Sequence, residues 1–157
     1  MSEDRPQLSA SEPPLSGARM LVISAQFNGK IVKELTAGAL ERLKLAGVTV
    51  VQIEVPGALE IPIAAAIKLE AGKYDGVVAL GCVIRGETEH FEIVAHQSAR
   101  ALMDLAVARK VALGNGILTV DTEAQAWSRA KRSEGNAGGH AAAAALALAR
   151  IARAKKS

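Results

Sequence analysis

The sequence has few of the features on which several classes of protein depend. It contains one cysteine, Cys82, so no disulfide can form within the chain. Its aromatic side chains are two Phe, one Tyr and one Trp. No apolar run reaches the ~18 residues of a membrane-spanning helix, and the first residues, MSEDRPQLSASEPP, do not resemble a secretory signal peptide. These absences predict a cytoplasmic protein with no membrane partner.

The chain also has only a small excess of positive charge. The 19 Lys and Arg residues against 16 Asp and Glu residues give a net charge of +3. Nucleic-acid-binding domains usually concentrate more positive charge, often with aromatic side chains among it. We therefore expect no nucleic-acid partner. Half of the residues are hydrophobic, which excludes a chain that is disordered throughout.

The pattern of residues divides the chain into an arm and one domain. Residues 1–18 hold three prolines and several serines, which predicts a flexible arm. In residues 19–157, strand-like segments alternate with helical ones. The predicted strands are residues 20–24, 48–55, 75–84 and 111–120. This alternation predicts a single α/β domain, a three-layer α/β/α sandwich with a four-stranded parallel sheet of the flavodoxin-like kind.

Local signals mark the ends of several elements. Asn28 is expected to cap the first helix and Gly47 to end it. Thr122 and Gln125 have the spacing of a capping box before the fourth helix. Residues 114–116, Gly-Asn-Gly, are expected to break the fourth strand as a turn.

Ligands of open parallel sheets bind beyond the carboxyl ends of the strands. That rule directs attention to residues 25–28, 56–60, 85–90 and 114–116. The chain has neither a GxGxxG pattern nor a P-loop, so an ordinary nucleotide site is not expected. No histidine has a Cys or His at ligand spacing, so no metal site is expected either.

Residues 85–90, RGETEH, offer two possible chemistries. Backbone N–H groups at the start of the third helix, near Glu87 and Thr88, could bind an anion, or they could belong to an ordinary capped helix start. His90 could transfer protons at neutral pH, or it could lie in solvent at the helix start.

The other candidate residues do not indicate a single role when each is taken alone. Glu60 could complement the dipole of the second helix or accept hydrogen bonds from a polyol. Phe27 could close the edge of the core or stack on a flat ring. Cys82 is expected to be a small buried side chain, because no base lies at a spacing that would make it a nucleophile. Arg129 alone indicates only a surface cation.

Together these segments resemble the 6,7-dimethyl-8-ribityllumazine synthase family. The similar strings are FN at 27–28, PGALEIP at 56–62, GCVIRGETEHF at 81–91, GILT at 116–119, EAQA at 123–126 with Arg129, and GN at 135–136. They occur in order between about residues 19 and 155, and the second and third strings together are highly specific. The resemblance implies a cofactor-free condensation of 5-amino-6-(D-ribitylamino)uracil with 3,4-dihydroxy-2-butanone 4-phosphate, the penultimate step of riboflavin biosynthesis.

The resemblance also implies a role for each candidate residue. The ribitylaminouracil would be bound by Phe27, Ala58, Leu59, Glu60, Cys82, Val83, Ile84 and Asn115. The phosphate would be bound by Glu87, Thr88 and Arg129, and His90 would move protons. Three positions depart from the commonest pattern: Gln26 replaces an Arg, Asn115 an aromatic residue, and Ala137 a Lys. The departures at Asn115 and Ala137 leave open the alternative of a non-catalytic flavin- or lumazine-binding paralogue.

The same resemblance implies a homo-oligomer that acts on small molecules, with riboflavin synthase as a further partner. Members of the family form pentamers, and in some of them twelve pentamers assemble into an icosahedral shell of 60 subunits. Residues 131–136, KRSEGN, lack the first glycine of the string common in shell-forming members. We therefore expect a free pentamer rather than a shell of 60 subunits. A structural shell protein, whose function is assembly and not catalysis, is a separate alternative.

Overall fold

The computed structural model describes residues 12–86 and 90–155. The strands are β1 (Arg19–Ala25), β2 (Thr49–Val55), β3 (Gly76–Ile84) and β4 (Ala112–Val120). The helices are α1 (Gly29–Leu45), α2 (Glu60–Ala71), α3 (His90–Arg109), α4 (Glu123–Ala130) and α5 (Ala137–Lys155). The predicted order of strands and helices is confirmed.

All four strands are parallel, in the order β2-β1-β3-β4. Helices α1, α4 and α5 pack on one face of the sheet, and α2 and α3 pack on the other. This is the predicted three-layer sandwich. The strand β3 is buried from Gly76 to Cys82, as an apolar strand covered on both faces should be. The strand order reverses between β1 and β3, which is where ligands bind in such sheets.

Small residues let the helix α5 approach the rest of the domain closely. A side chain at Gly138 would overlap the backbone of Leu35 in α1. A side chain at Gly114 would likewise overlap the backbone of Ala141 in α5. The abundance of alanine and glycine in these elements therefore reflects close contact between backbones.

The turn predicted at residues 114–116 is wrong. These residues lie in the middle of β4, where Gly114 pairs with Val78 and Gly116 pairs with Leu80. Their glycines leave room for α5, because a side chain at Gly116 would also press on Ala141. The carboxyl end of β4 is at Val120.

The three predicted helix boundaries are correct, but the side-chain capping hydrogen bond expected at one of them is absent. Gly47 ends α1 with a φ of 70°, and Thr122 with Gln125 forms the predicted capping box of α4. Asn28 stands at the start of α1, but its side chain makes no capping hydrogen bond. Its φ is 57°, and its amide donates instead to the carbonyl oxygen of Cys82 at 2.8 Å. A hydrogen bond to β3 therefore takes the place of the expected local cap.

The described end of the predicted arm packs against the domain. Leu15 and Ala18 are buried, and the Leu15 N–H donates to the Ala46 carbonyl oxygen at 2.9 Å. The carboxylate of Glu12 contacts Arg150 of α5. The packed domain thus starts earlier than the predicted boundary at residue 18. Residues 1–11 lie outside the described part of the chain, so their flexibility stays a prediction.

Candidate active site

A cavity of about 400 Å³ lies beyond the carboxyl ends of β1, β2 and β3. Its volume is in the range usual for small-molecule sites. The lining includes eight residues that the sequence singled out, namely Phe27, Ala58, Leu59, Glu60, Cys82, Val83, Ile84 and His90. Residues from three separate segments therefore meet at one place. This place lies beyond the carboxyl ends of the strands, where ligands of open parallel sheets bind.

Main-chain hydrogen bonds hold the segment after β1 against the segment after β2. The N–H of Gln26 donates to the Val55 carbonyl oxygen at 2.8 Å, and that of Phe27 donates to the Pro56 carbonyl oxygen at 3.1 Å. The Phe27 ring remains 72% exposed. It therefore does not close the edge of the core, and a ring face is available at the cavity.

Glu60 begins α2 and lines the cavity. Its carboxylate lies over Gly57, where an added Cβ would be 3.2 Å from Oε1. Its N–H donates to the Gly57 carbonyl oxygen at 3.2 Å. The half-buried carboxylate thus lies at the positive end of a helix and also beside the cavity, and this position suits either of the two roles considered for it.

The Cys82 side chain is 4% exposed. Burial raises the pKa of its thiol to about 11, and the negative charge of Glu123 adds to the effect. A thiol with this pKa is protonated at neutral pH and is a poor nucleophile. The expectation of a small buried side chain is confirmed, and its lack of reactivity stays a prediction.

The helix α3 begins at His90, which is exposed and lines the cavity together with Phe91 and Val94. Glu87 and Thr88, the other predicted residues of this segment, lie outside the described residues. The anion site predicted there stays a prediction.

Arg85 belongs to the segment 85–90 that the sequence singled out, but no role was predicted for its side chain. Its guanidinium Nη1 donates to Glu92 Oε1 at 2.6 Å, and its Nε donates to Asp121 Oδ1 at 2.8 Å. It also lies over the Phe91 ring, with its carbon 4.4 Å from the ring centroid. The hydrogen bonds raise the pKa of Arg85, and the same pairing lowers the pKa of Glu92. No sequence pattern links Arg85 to Asp121, because 36 residues separate them.

Asn115 and Arg129 do not line this cavity. Asn115 lies exposed in the middle of β4, where its side chain accepts a hydrogen bond from the Ile117 N–H at 2.9 Å. Arg129 lies in α4, which packs on the other face of the sheet. Within the described ranges, Arg129 has neither a hydrogen-bond nor an ion-pair partner. One chain therefore does not bring these two residues to the site.

Two features are absent from residues 12–86 and 90–155. No group of three or more His, Cys, Asp or Glu residues there could hold a metal ion. No helix in these ranges combines the length and the apolar character that a membrane crossing requires.

Comparisons with known proteins identify the family to which the chain is similar. The family model of 6,7-dimethyl-8-ribityllumazine synthase matches residues 17–153. The chain is 56% identical to the protein of that name from Azorhizobium caulinodans, over 98% of each chain. It is 59% identical to the one from Methylobacterium radiotolerans, over 91% of this chain and 87% of the relative. It is also 59% identical to the one from Xanthobacter autotrophicus, over 88% and 87%.

Proposed function

The chain belongs to the 6,7-dimethyl-8-ribityllumazine synthase family, and we propose that its cavity carries out the reaction for which the family is named. It is an enzyme of riboflavin biosynthesis. We propose that it condenses 5-amino-6-(D-ribitylamino)uracil with 3,4-dihydroxy-2-butanone 4-phosphate and releases phosphate and water. The observation that carries this proposal is the gathering of eight predicted residues around one cavity. The comparisons give no support to a non-catalytic binding protein.

The pyrimidine ring would stack on Phe27. The exposed face of this side chain at the cavity supports the assignment, because an aromatic ring offers a flat apolar surface to another ring. The main chain of Cys82, Val83 and Ile84 would meet the edge of the pyrimidine. Backbone N–H and C=O groups suit that purpose because their positions are fixed by β3.

The ribityl chain would lie along residues 58–60. Ala58 and Leu59 would contribute main-chain groups, and the Glu60 carboxylate would accept hydrogen bonds from the hydroxyls. A carboxylate is a stronger acceptor than a neutral oxygen, since charge-assisted hydrogen bonds are roughly twice as strong. The placement of Glu60 over Gly57 supports this role because it brings the carboxylate to the cavity.

His90 would carry protons between the reacting groups. The amine of the uracil attacks the ketone to form an imine and release water, phosphate is eliminated, and the ribitylamino nitrogen closes the ring on the second carbonyl with loss of another water. Each step moves protons, and an imidazole can give or take one near neutral pH. The position of His90 at the cavity supports the role. Much of the acceleration would come from holding the two substrates together.

The phosphate would be bound by Glu87, Thr88 and Arg129. At residues 87 and 88 the donors would be mainly backbone N–H groups and the Thr88 hydroxyl, with the Glu87 charge directed away. The Arg129 guanidinium would add two parallel donors to the phosphate oxygens. Its lack of a partner among the residues that the structure describes supports this role, because its donors are available to a ligand.

Arg129 and Asn115 would reach the site from a neighbouring subunit. Neither lines the cavity of its own chain. Large apolar side chains are exposed on the two helices nearest to the cavity, namely Ile63 and Ile67 of α2, and Ile93, Met103 and Val107 of α3. Such side chains favour burial between subunits. We therefore propose a homopentamer in which each site lies between two chains.

Three finer assignments accompany this proposal. The pentamer would remain free rather than form a shell, because residues 131–136 lack the glycine of shell-forming members. The same segment is held to its own chain, because Arg132 donates hydrogen bonds to Glu34 and Glu41 of α1. The enzyme would act in the cytoplasm and would pass its product to riboflavin synthase.

One assay tests the function directly. The purified protein is mixed with both substrates, and the absorbance of the lumazine product is followed against a mixture without protein. We expect formation well above the uncatalysed rate. A rate equal to that background would refute the proposed reaction. Sedimentation velocity on the same sample distinguishes a pentamer from a monomer and from a shell of 60 chains.

A further inference from the structure

We propose that Arg85 is a positioning residue for the reaction, and that it acts by fixing the first turn of α3 and thus His90 at the cavity. The inference rests on the proposed function, because it takes His90 as the group that moves protons. Arg85 does not itself line the cavity, whereas His90 and Phe91 do. Any effect of Arg85 on the chemistry must therefore pass through its neighbours.

The geometry gives Arg85 three contacts in three directions. Its guanidinium joins Glu92 at 2.6 Å and Asp121 at 2.8 Å, and it covers the ring of Phe91 at 4.4 Å. A planar group with several donors can make such contacts at once, whereas a lysine ammonium is a single point of charge. Cation–π contact with Phe91 adds to the ion pairs.

Two of these contacts fall on the residues that follow His90. Phe91 and Glu92 belong to the same helical turn as His90, so fixing them fixes the backbone of the histidine. The third contact, with Asp121, joins this turn to the end of β4. The main chain of Arg85 is anchored at the same place, because its N–H donates to the Val120 carbonyl oxygen at 2.8 Å.

The side chains of this network are about half exposed, with 47% of both Arg85 and Glu92 accessible. Exposed ion pairs add little to global stability. The main effect of losing Arg85 should therefore be on the position of His90 and not on the stability of the fold. Misplacing a catalytic group by about 1 Å can lower a rate by up to about a hundredfold. Loss of Arg85 would leave Glu92 with His96 as its remaining described partner, at 3.2 Å on the same helix.

The test is a double-mutant cycle of Arg85→Gln and His90→Ala, with kcat and KM measured for both substrates. We expect Arg85→Gln to lower kcat about tenfold in the wild-type background and to change KM for the uracil less. In the His90→Ala background it should change kcat less than about twofold, because the group that it positions is gone. Arg85→Lys, which can keep one ion pair, should fall between the wild type and Arg85→Gln.

Two variants accompany the cycle. Arg19→Gln is the matched control, because Arg19 is an exposed arginine at the amino end of β1, away from the cavity, and it also covers an aromatic ring, with its Cζ 4.6 Å from the Tyr74 centroid; its kcat and KM should match the wild type. If Arg85→Gln does not fold, as judged by circular dichroism, the pair Glu92→Gln and Asp121→Asn takes its place. That pair retains Arg85 but removes both carboxylates, and it should lower kcat in the same direction.

An equal loss of kcat in both backgrounds would overturn the inference, as would an Arg85→Gln enzyme with wild-type kcat. These results leave the proposed function intact as long as the wild type forms lumazine. If His90→Ala turned over at the wild-type rate, the role of His90 would fail and this inference would fail with it. An inactive wild type would instead refute the reaction itself.

Discussion

The side-chain amide of Asn28 donates to the main-chain carbonyl oxygen of Cys82 at 2.8 Å, across the point where the strand order of the sheet reverses. This hydrogen bond joins the segment after β1 to the last part of β3. Both residues line the cavity, so the contact fixes the relative position of two of its walls. It also accounts for the missing cap of α1, because the hydrogen bond turns the Asn28 side chain towards Cys82 and its φ of 57° is not the extended conformation from which a side-chain oxygen accepts the N–H groups of a helix start.

The first prediction concerns this contact. Asn28→Ala should lower the free energy of unfolding by roughly 1.5–3 kcal/mol, because it removes the hydrogen bond and places alanine at a φ of 57°. Asn28→Gly removes the same bond but tolerates that φ, so its loss should be smaller, about 1 kcal/mol. Urea unfolding of the three proteins measures both. Equal stability of Asn28→Ala and the wild type would show that the contact contributes nothing.

The second prediction concerns the phosphate. Arg129→Ala should raise the KM for the butanone phosphate by about tenfold or more, because a charge-assisted contact with the phosphate is worth roughly 1.5–3 kcal/mol. The KM for the uracil should change much less. Steady-state kinetics with each substrate varied in turn provide the comparison, and Arg19→Gln controls for the loss of a surface charge. An unchanged KM for the butanone phosphate would contradict the assignment.

The third prediction tests whether the site is shared between chains. His90→Ala and Arg129→Ala chains are unfolded, mixed in equal amounts and refolded together. If His90 and Arg129 of one site come from neighbouring chains, random assembly leaves about a quarter of the sites with both groups intact. Each variant refolded alone is the control. A mixture no more active than its parents would mean that both residues serve one site from the same chain.

The fourth prediction concerns Cys82, the single thiol of the chain. Its buried position and its pKa of about 11 should make it slow to react with iodoacetamide at pH 8 in the folded protein. The unfolded protein in guanidinium should react at the rate of free cysteine, and mass spectrometry reports both. Cys82→Ser should change kcat by less than about threefold, because the thiol is not a nucleophile. A folded but inactive Cys82→Ser enzyme would restore the nucleophilic role.

The fifth prediction concerns acid stability. Pairing with Arg85, and to a lesser degree with His96, holds the pKa of Glu92 below its ordinary value of 4.5. The stabilisation is therefore complete above about pH 4.5 and is lost as the pH falls through the lower, folded-state pKa. The difference in Tm between the wild type and Glu92→Gln should shrink over that interval. Concentrated NaCl should shrink it at neutral pH as well, since exposed pairs are screened. A difference that grew as the pH fell would contradict the pairing.

Several features of the molecule were set by the sequence alone. Apolar, strand-like segments alternate with segments of helical periodicity. This alternation predicted four parallel strands in a three-layer sandwich, because burial of apolar side chains dominates folding. The segments that follow β1, β2 and β3 carried the residues of the cavity. The rule that ligands bind at strand ends predicted that Phe27, Glu60 and His90 lie near one another, and all three line the cavity.

Other features depended on contacts between distant parts of the chain. The glycines of residues 114–116 indicate a turn as readily as a close approach, and only the packing of α5 on β4 decides between the two. Asn28 had the local signature of a helix cap, yet Cys82 in β3 is its partner. The network of Arg85 joins side chains from two strand ends and one helix. Such pairings depend on where separate elements meet in space, and a local pattern of residues does not contain that information.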